Sequence, residues 1–518
     1  MLLRKFISGL FNVPRNTHSA AATLEPGVDG LRFNAALTEA DRLAAAGELT
    51  HAVERYQACI QAAQASADAW LRMGNVLLDM WRVEDAVSAY RRALELEPAS
   101  FAVHSAVLFH NHYLVPVDAR RLFELHRVSA AVMRTAVPRA RESYVGTPDP
   151  GRRLRIGYVS PNLSAHSVGY FAEPVIVHHD RRQFDVHCYY AHRLSDATTQ
   201  RIRSASDAWH NIFGKSDADV AHRIRGDGID ILIDLAGHSK GNRLGVFARK
   251  PAPLQMTWLG YPDTTGLDTV DYRITDHIAD PAPHAESLHT ERLLRTDGIF
   301  LSYLPPADSP PVSRRASAGP DVVFCCFNSI AKLNDETIRL WCRILTALPQ
   351  ARLVMKSAPL QYTETADRIV DAFVRHGVTA GRITLHGWIA RRNSHLDLYS
   401  ETDIALDTCP YNGTTTTCEA LWMGVPVVSL AGHVSMSRVG AALLHSVGLG
   451  ELVAENADQY VEIALALARD AARRVALRTE LRQRMRNSPL LDHKNFTLGL
   501  ERAYRRCWAA WCERQNIA

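Results

Sequence analysis

A chain of 518 residues has room for about three or four domains. Its 47% hydrophobic and 22% charged content describes an ordinary soluble globular protein, and a net charge of +4 gives no case for a nucleic-acid partner. No apolar run approaches the roughly 18 residues that a membrane span requires. The nine cysteines are scattered without a CxxC pair, and Cys325 and Cys326 lie inside an apolar strand. That pattern reads as reduced thiols and a cytoplasmic location, not a disulfide framework.

Residues 1–34 read as an N-terminal tail. Met1 to Val13 hold Arg4 and Lys5 among Leu, Phe and Ile but lack a continuous apolar region and a cleavage site, so they do not read as a signal peptide. A surface-binding amphipathic segment is the other reading. An internal repeat follows: Leu43 and Leu77, Ala52 and Ala86, Val53 and Val87, and Tyr56 and Tyr90 are each 34 residues apart. A 34-residue period with small residues at the helix crossings and a closing Pro98 resembles tetratricopeptide repeats. Two copies and a further helix pair near 101–137 predict a short all-α array over 35–137 that leans on the next domain as its cap. A concave helical array suits an extended polypeptide partner.

A Pro/Gly/Arg stretch, Val145 to Arg153, ends the helical part. Strand-like runs at 154–160, 184–191, 230–236, 254–260 and 272–276 alternate with helical segments such as Asp219 to Arg225. After a Pro/Ser/Ala break at Pro305 to Gly319, a second set occupies 322–328, 352–357, 383–388, 403–407 and 426–430. The alternation predicts two Rossmann-like α/β domains, over 150–305 and 320–490, and a C-terminal helix over 491–518 carrying Trp508 and Trp511. Such domains bind ligands at the carboxyl ends of their strands, in the cleft between them.

Chemistry-bearing residues fall at those strand ends. His166 follows the first strand in Ser160-Pro-Asn-Leu-Ser-Ala-His-Ser, where a neutral imidazole can take a proton from an acceptor hydroxyl; a histidine that only bonds its own loop is the plainer reading. Asp230-Ile-Leu-Ile-Asp-Leu-Ala-Gly237-His238 and Trp258-Leu-Gly-Tyr261-Pro-Asp-Thr-Thr-Gly put Gly237, His238 and Tyr261 at two further strand ends. In the second domain, Asn328 closes one strand and Lys332 lies in the loop beyond, where a cation can neutralise a leaving diphosphate without a metal. His395 opens the helical segment before the strand Asp403 to Leu406. Asp407 then runs through Pro410, Asn412 and Gly413 into Thr414, Thr415, Thr416 and Thr417, which open a helix that stops at Gly424. Unpaired N–H groups at a helix start favour an anion, and Glu419 one turn in is placed to accept from ribose hydroxyls. The alternative is an N-capped helix in an ordinary α/β domain. Asp217-Ala-Asp219 has the DxD form that holds a divalent ion in many sugar transferases, but it precedes an amphipathic helix and reads as cap and dipole complement.

Together these segments resemble the protein O-glycosyltransferases of the O-GlcNAc transferase and SPINDLY family. The likeness covers the repeats and nearly all of 150–510, and is most specific in Arg249 to Pro262, Val270 to Asp276, the Lys332 loop and Asp407 to Pro426. It implies a GT-B fold, a nucleotide-sugar donor (GDP-fucose or UDP-GlcNAc), no metal or other cofactor, and inverting transfer to Ser or Thr of proteins held by the repeats. By position it implies His166 and Lys332 as catalytic, and His395, Thr415, Thr416 and Glu419 as nucleotide contacts. Asn328 and Thr414 join that donor set, and Asp230, Gly237, His238 and Tyr261 are expected sugar or acceptor contacts. The O-GlcNAc branch typically has His where Asp230 and Thr414 stand, so the motifs look closer to SPINDLY, whose plant members use GDP-fucose. Asp230 is therefore expected beside the sugar, favouring GDP-fucose, and the repeats are expected to contribute little to donor binding. Two other readings are a repeat scaffold without catalysis and a GT-B transferase acting on a non-protein acceptor.

Overall fold

The computed structural model describes residues 28–63, 66–137, 144, 147–313 and 321–517. Met1 to Val13 and most of the expected tail lie outside them. Three helical hairpins come first: Val28–Ala46 with Leu49–Ala63, Ala67–Asp79 with Val83–Leu96, and Phe101–Asn111 with Ala119–Ala136. The first helix begins inside the segment read as tail, because Phe33 and Ala36 pack onto the core of the array. The repeat also shows in its bonds. Tyr56 Oη donates to Asp41 at 2.5 Å and Tyr90 Oη donates to Asn75 at 2.8 Å, each across 15 residues. At the second crossing, a Cβ on Gly74 would stand 2.6 Å from the Tyr90 ring, so only glycine lets those helices meet there.

Two parallel sheets follow. The first has β1 (Leu154–Ser160), β2 (Phe184–Tyr190), β3 (Ala208–Asn211), β4 (Ile231–Asp234), β5 (Leu254–Thr257), β6 (Tyr272–Thr275) and β7 (Arg292–Arg295), in the order β3-β2-β1-β4-β5-β6-β7. The second has β8 (Val323–Cys326), β9 (Arg352–Lys356), β10 (Ile383–His386), β11 (Ile404–Leu406), β12 (Val427–Leu430) and β13 (Val453–Ala454), in the order β10-β9-β8-β11-β12-β13. Both show the 3-2-1-4-5-6 order of a doubly wound fold, the first with an added seventh strand. With the helical array they make a GT-B architecture. β3, β7 and β13 escape sequence reading because they are short and lie toward the sheet edges; β3 and β7 are only half-buried, so no apolar run marks them. Among the described residues no helix is long and apolar enough to cross a membrane, and all nine cysteines are buried and free.

Strand order decides where a ligand can sit. The strands are all parallel, but the order in which they are added reverses between β1 and β4 in the first lobe and between β8 and β11 in the second, and a crevice opens at each such switch point. His166 follows β1, Asn328 and Lys332 follow β8, and the threonine loop follows β11. The C-terminal helix His493–Ile517 returns from the second lobe to the first, where Glu501 bonds His179 at 2.9 Å and Trp508 Nε1 donates to the Asp149 carbonyl at 2.9 Å. The array touches both lobes. Arg134 reaches Asp268 of the first at 3.1 Å, and Thr365 of the second donates to the Asp79 carbonyl at 2.7 Å.

Candidate functional site

Asp407 organises the loop that sequence reading singled out. It is buried at the end of β11 and accepts from the N–H groups of Thr408 at 2.9 Å and Gly413 at 2.7 Å, from the Ser429 hydroxyl at 2.7 Å and from Asn328 Nδ2 at 3.0 Å. Burial pushes its pKa up to about 6, against the pull of these donors and of Lys332. Thr416 donates to Asn328 Oδ1, and Thr417 donates back to the Gly413 carbonyl at 3.0 Å. Asn328 thus ties the ends of β8 and β11 into one loop cluster. The helix Thr415–Trp422 starts there, and its N-cap Thr414 makes no side-chain capping bond. Thr414, Thr415 and Thr416 are half-buried around that uncapped start, which offers N–H donors and a positive dipole end to an anion.

Lys332 ends a short 3-10 turn, Ile330–Lys332, beside this cluster. Its Nζ donates to the Asn412 carbonyl at 2.7 Å and stands 3.9 Å from the centroid of the Tyr411 ring. Burial lowers its pKa to about 8, with Asp407 pulling the other way.

Glu419 is buried and bonds His395 Nε2 at 3.0 Å, with Arg392 Nε 3.7 Å from its other oxygen. His395 lies in the last turn of the helix Arg392–Asp397, not at its start, and its Nδ1 has no partner. Arg392 stacks on Tyr170 of the first lobe at 3.5 Å and reaches the Tyr303 hydroxyl at 3.2 Å. Sequence reading passed over Arg392, although a cation three residues before His395 was there to be seen. Tyr170 belongs to the helix Ser167–His178, whose N-cap is His166. A continuous path, His166 helix, Tyr170, Arg392, Glu419, His395, therefore joins the two lobes across the cleft.

His166 is exposed at the cleft, and partial desolvation by the protein packed around its ring lowers its pKa, which favours the neutral imidazole. Its Nδ1 accepts from the Val168 N–H at 3.1 Å. In the neutral ring that bond leaves the proton on Nε2, so the free nitrogen is a donor. The ring as placed can hold a substrate oxygen; it takes a proton only by releasing Val168.

Four expected sugar or acceptor contacts sit elsewhere. Asp230 precedes β4, at the amino end of the strand and opposite the cleft. It is 1% exposed and spends its carboxylate on Arg152, with one bond of 2.8 Å and a second shorter one, and on the Arg155 N–H at 2.8 Å. It is a structural ion pair at the far end of the strand, not the sugar contact expected of it. His238 is buried with both ring nitrogens engaged, by Ser105 of the array at 3.0 Å and the Thr265 carbonyl at 2.9 Å. Tyr261 donates to or accepts from His126 of the array at 2.7 Å, and Gly237 packs so tightly on it that a Cβ would stand 2.2 Å from the tyrosine Cβ. These three form the seam between array and first lobe. Period and strand pattern place them at strand ends but do not show that the array covers them.

Asp217 and Asp219 stand in the first turn of the helix Asp217–Gly226, as a dipole complement does, but the cap is Ser216, whose Oγ accepts from the Asp219 N–H at 3.1 Å, and Asp217 pairs with Arg243 at 2.6 Å. Among the described residues His187, His210 and Asp227 bring potential metal-ligand atoms within 4.8 Å of one another. Arg223 already donates to both Asp227 oxygens at 2.9 Å and contacts His210 at 3.2 Å, so the chain supplies a cation there itself.

The profile of glycosyl transferase family 41 matches residues 132–301 and 311–500. A Petunia hybrida protein named as a probable UDP-N-acetylglucosamine–peptide N-acetylglucosaminyltransferase SPINDLY is 41% identical over 81% of this chain and 45% of its own length. An Arabidopsis thaliana protein with the same enzyme name but called SEC is 32% identical over 70% of this chain and 38% of its own length. The chain thus spans less than half the length of these relatives. A solved structure of a mutant O-GlcNAc transferase from Thermobaculum terrenum superposes with a TM-score of 0.86 at 36% identity, covering 95% of this chain and 100% of that one.

Proposed function

The chain belongs to glycosyl transferase family 41, and from that premise we propose that it is an inverting, metal-independent transferase that moves one sugar from a nucleotide-sugar to Ser or Thr hydroxyls of proteins. The observation that carries the reading is the joint placement of Lys332, the uncapped helix start at Thr414 to Thr416, and the Glu419–His395 pair at one switch point, with His166 across the cleft. As the acceptor hydroxyl oxygen bonds to the anomeric carbon it releases its proton to a phosphate oxygen of the leaving diphosphate or to water, while the bond from that carbon to the diphosphate breaks and its electron pair stays on the phosphate oxygen. Lys332 and the first-turn amides meet that charge where it develops. Glu419 takes the ribose hydroxyls, and His166 Nε2 donates to a substrate oxygen in the cleft. Buried free thiols support a cytoplasmic location.

UDP-GlcNAc is the donor proposed first. The relatives' names specify N-acetylglucosaminyl transfer, and the case for fucose has lost Asp230. GDP-fucose is the second reading, favoured by Thr414 in place of an imidazole and by the higher identity to SPINDLY than to SEC. Incubation with each nucleotide-sugar and a protein acceptor, read by mass spectrometry, tests both. A mass increment on Ser or Thr is expected; turnover of neither donor refutes the proposal.

A further inference from the structure

The site is assembled from two lobes and a third party, the helical array. Trp81, in the turn between the second pair of array helices, donates its indole N–H to the Leu333 carbonyl at 2.7 Å, one residue beyond Lys332. Tyr113, just past the fifth array helix, stacks on Tyr411 with ring centres 5.6 Å apart and planes 26° apart. The same Tyr411 ring carries the Lys332 ammonium at 3.9 Å. His112 touches that ring edge-on at 6.4 Å and also bonds Asp263 of the first lobe at 3.1 Å. The floor under Lys332 is therefore held from the array side.

We infer that Tyr113 is a positioning residue for Lys332, acting through the Tyr411 ring, so that the donor site is complete only with the array in place. The inference rests on the proposed role of Lys332 at the diphosphate. It revises the expectation that the repeats contribute little to donor binding. An aromatic face attracts a cation at fixed distance, and a ring held by a second ring cannot swing away. The other groups bearing on Lys332 are Asp407 at the end of β11 and Cys326 at the end of β8, while Arg273 acts on Tyr411. His112 of the array also touches the Tyr411 ring and stays bonded to Asp263, so loss of the uncharged Tyr113 leaves the charge set unchanged and alters only position and burial. Freed of its platform, the ammonium gains water, and its pKa moves back toward that of ordinary lysine. An acceptor chain that shifts the end of the fifth array helix would reach the donor through this contact.

The chain has seven lysines, few enough for each to be resolved by NMR after 13C reductive methylation, with Lys332→Arg identifying the signal. The full-length protein is titrated as wild type, Tyr113→Ala and Tyr113→Phe, and kcat/KM for donor is measured for each. Tyr113→Ala is expected to raise the Lys332 titration by about one pH unit and lower kcat/KM by about 10- to 100-fold, the scale of an ångström-sized displacement. Tyr113→Phe, which keeps the stacking face, restores both. An unmoved titration and unchanged kcat/KM in Tyr113→Ala overturn the inference. Should Tyr113→Ala fail to fold, Tyr113→Leu, which fills the space without a flat face, gives the same two readouts. If the titration moves while Lys332→Ala remains fully active, the positioning contact stands and the diphosphate role falls.

Discussion

Replacing Asp230 separates what its sequence position suggests from what its surroundings require. The carboxylate is 1% exposed, accepts a two-pronged bond from Arg152 and a third bond from the Arg155 N–H, while Arg152 also lies over Trp508 at 4.7 Å. Asp230→Ala leaves a guanidinium and a backbone N–H without their acceptor. Removing one partner of a buried pair costs about 3–5 kcal/mol. Arg152 keeps 24% of its side-chain exposure and its stacking partner, which places the loss at the lower end, about 3 kcal/mol. For a lobe of about 150 residues each kcal/mol moves the melting midpoint by roughly 2–4 °C, so Asp230→Ala is expected to melt roughly 6–12 °C lower. Asp230→His, the residue typical of the O-GlcNAc branch, should also destabilise, because an imidazole cannot accept both guanidinium bonds. Neither variant should change the ratio of UDP to GDP affinity in competition calorimetry. A variant of unchanged stability whose nucleotide preference shifts would refute the structural role and return Asp230 to the donor site.

Lys332→Ala is expected to lower the transfer rate by roughly 10²–10³, the usual loss for one preorganised donor, and EDTA to leave wild-type activity intact; full activity in the variant, or inhibition by EDTA, is the contrary result. With Lys332 held at about 8, the ammonium is lost as pH rises through that value, so kcat/KM should fall on the alkaline side of pH 8, and donor binding above it should take up a proton, measurable by calorimetry in buffers of different ionisation enthalpy. The free folded protein binds fewer protons than the unfolded chain above that pKa, so Lys332 makes stability rise with pH from about 8 to the ordinary lysine range. Asp407→Asn removes the charge that raises the Lys332 pKa and should move the alkaline limb to lower pH; a limb unmoved or shifted upward argues against the coupling. Gly237→Ala places a methyl group 2.2 Å from the Tyr261 Cβ in a backbone with φ +52° and should loosen the array seam, seen as faster proteolysis between the array and the first lobe.

The sequence by itself determined the repeat, the two doubly wound lobes and the Gly/Thr and Lys332 loops at their strand ends. These are local properties: a 34-residue period, strands read from apolar runs, and the Gly/Thr start of one helix are set by neighbours along the chain. The short outer strands were not legible, since little burial marks them. Asp230 precedes a four-residue strand, so the carboxyl-end rule already sets it away from the cleft, and only the tertiary structure shows its partners there, Arg152 and the Arg155 N–H. Only the structure shows that His238 and Tyr261 are covered by the array, that the bond from Val168 sets the His166 tautomer, and that Tyr113 reaches Lys332 through Tyr411. Each joins residues far apart in sequence or fixes an angle, and such contacts exist only once the chain has packed.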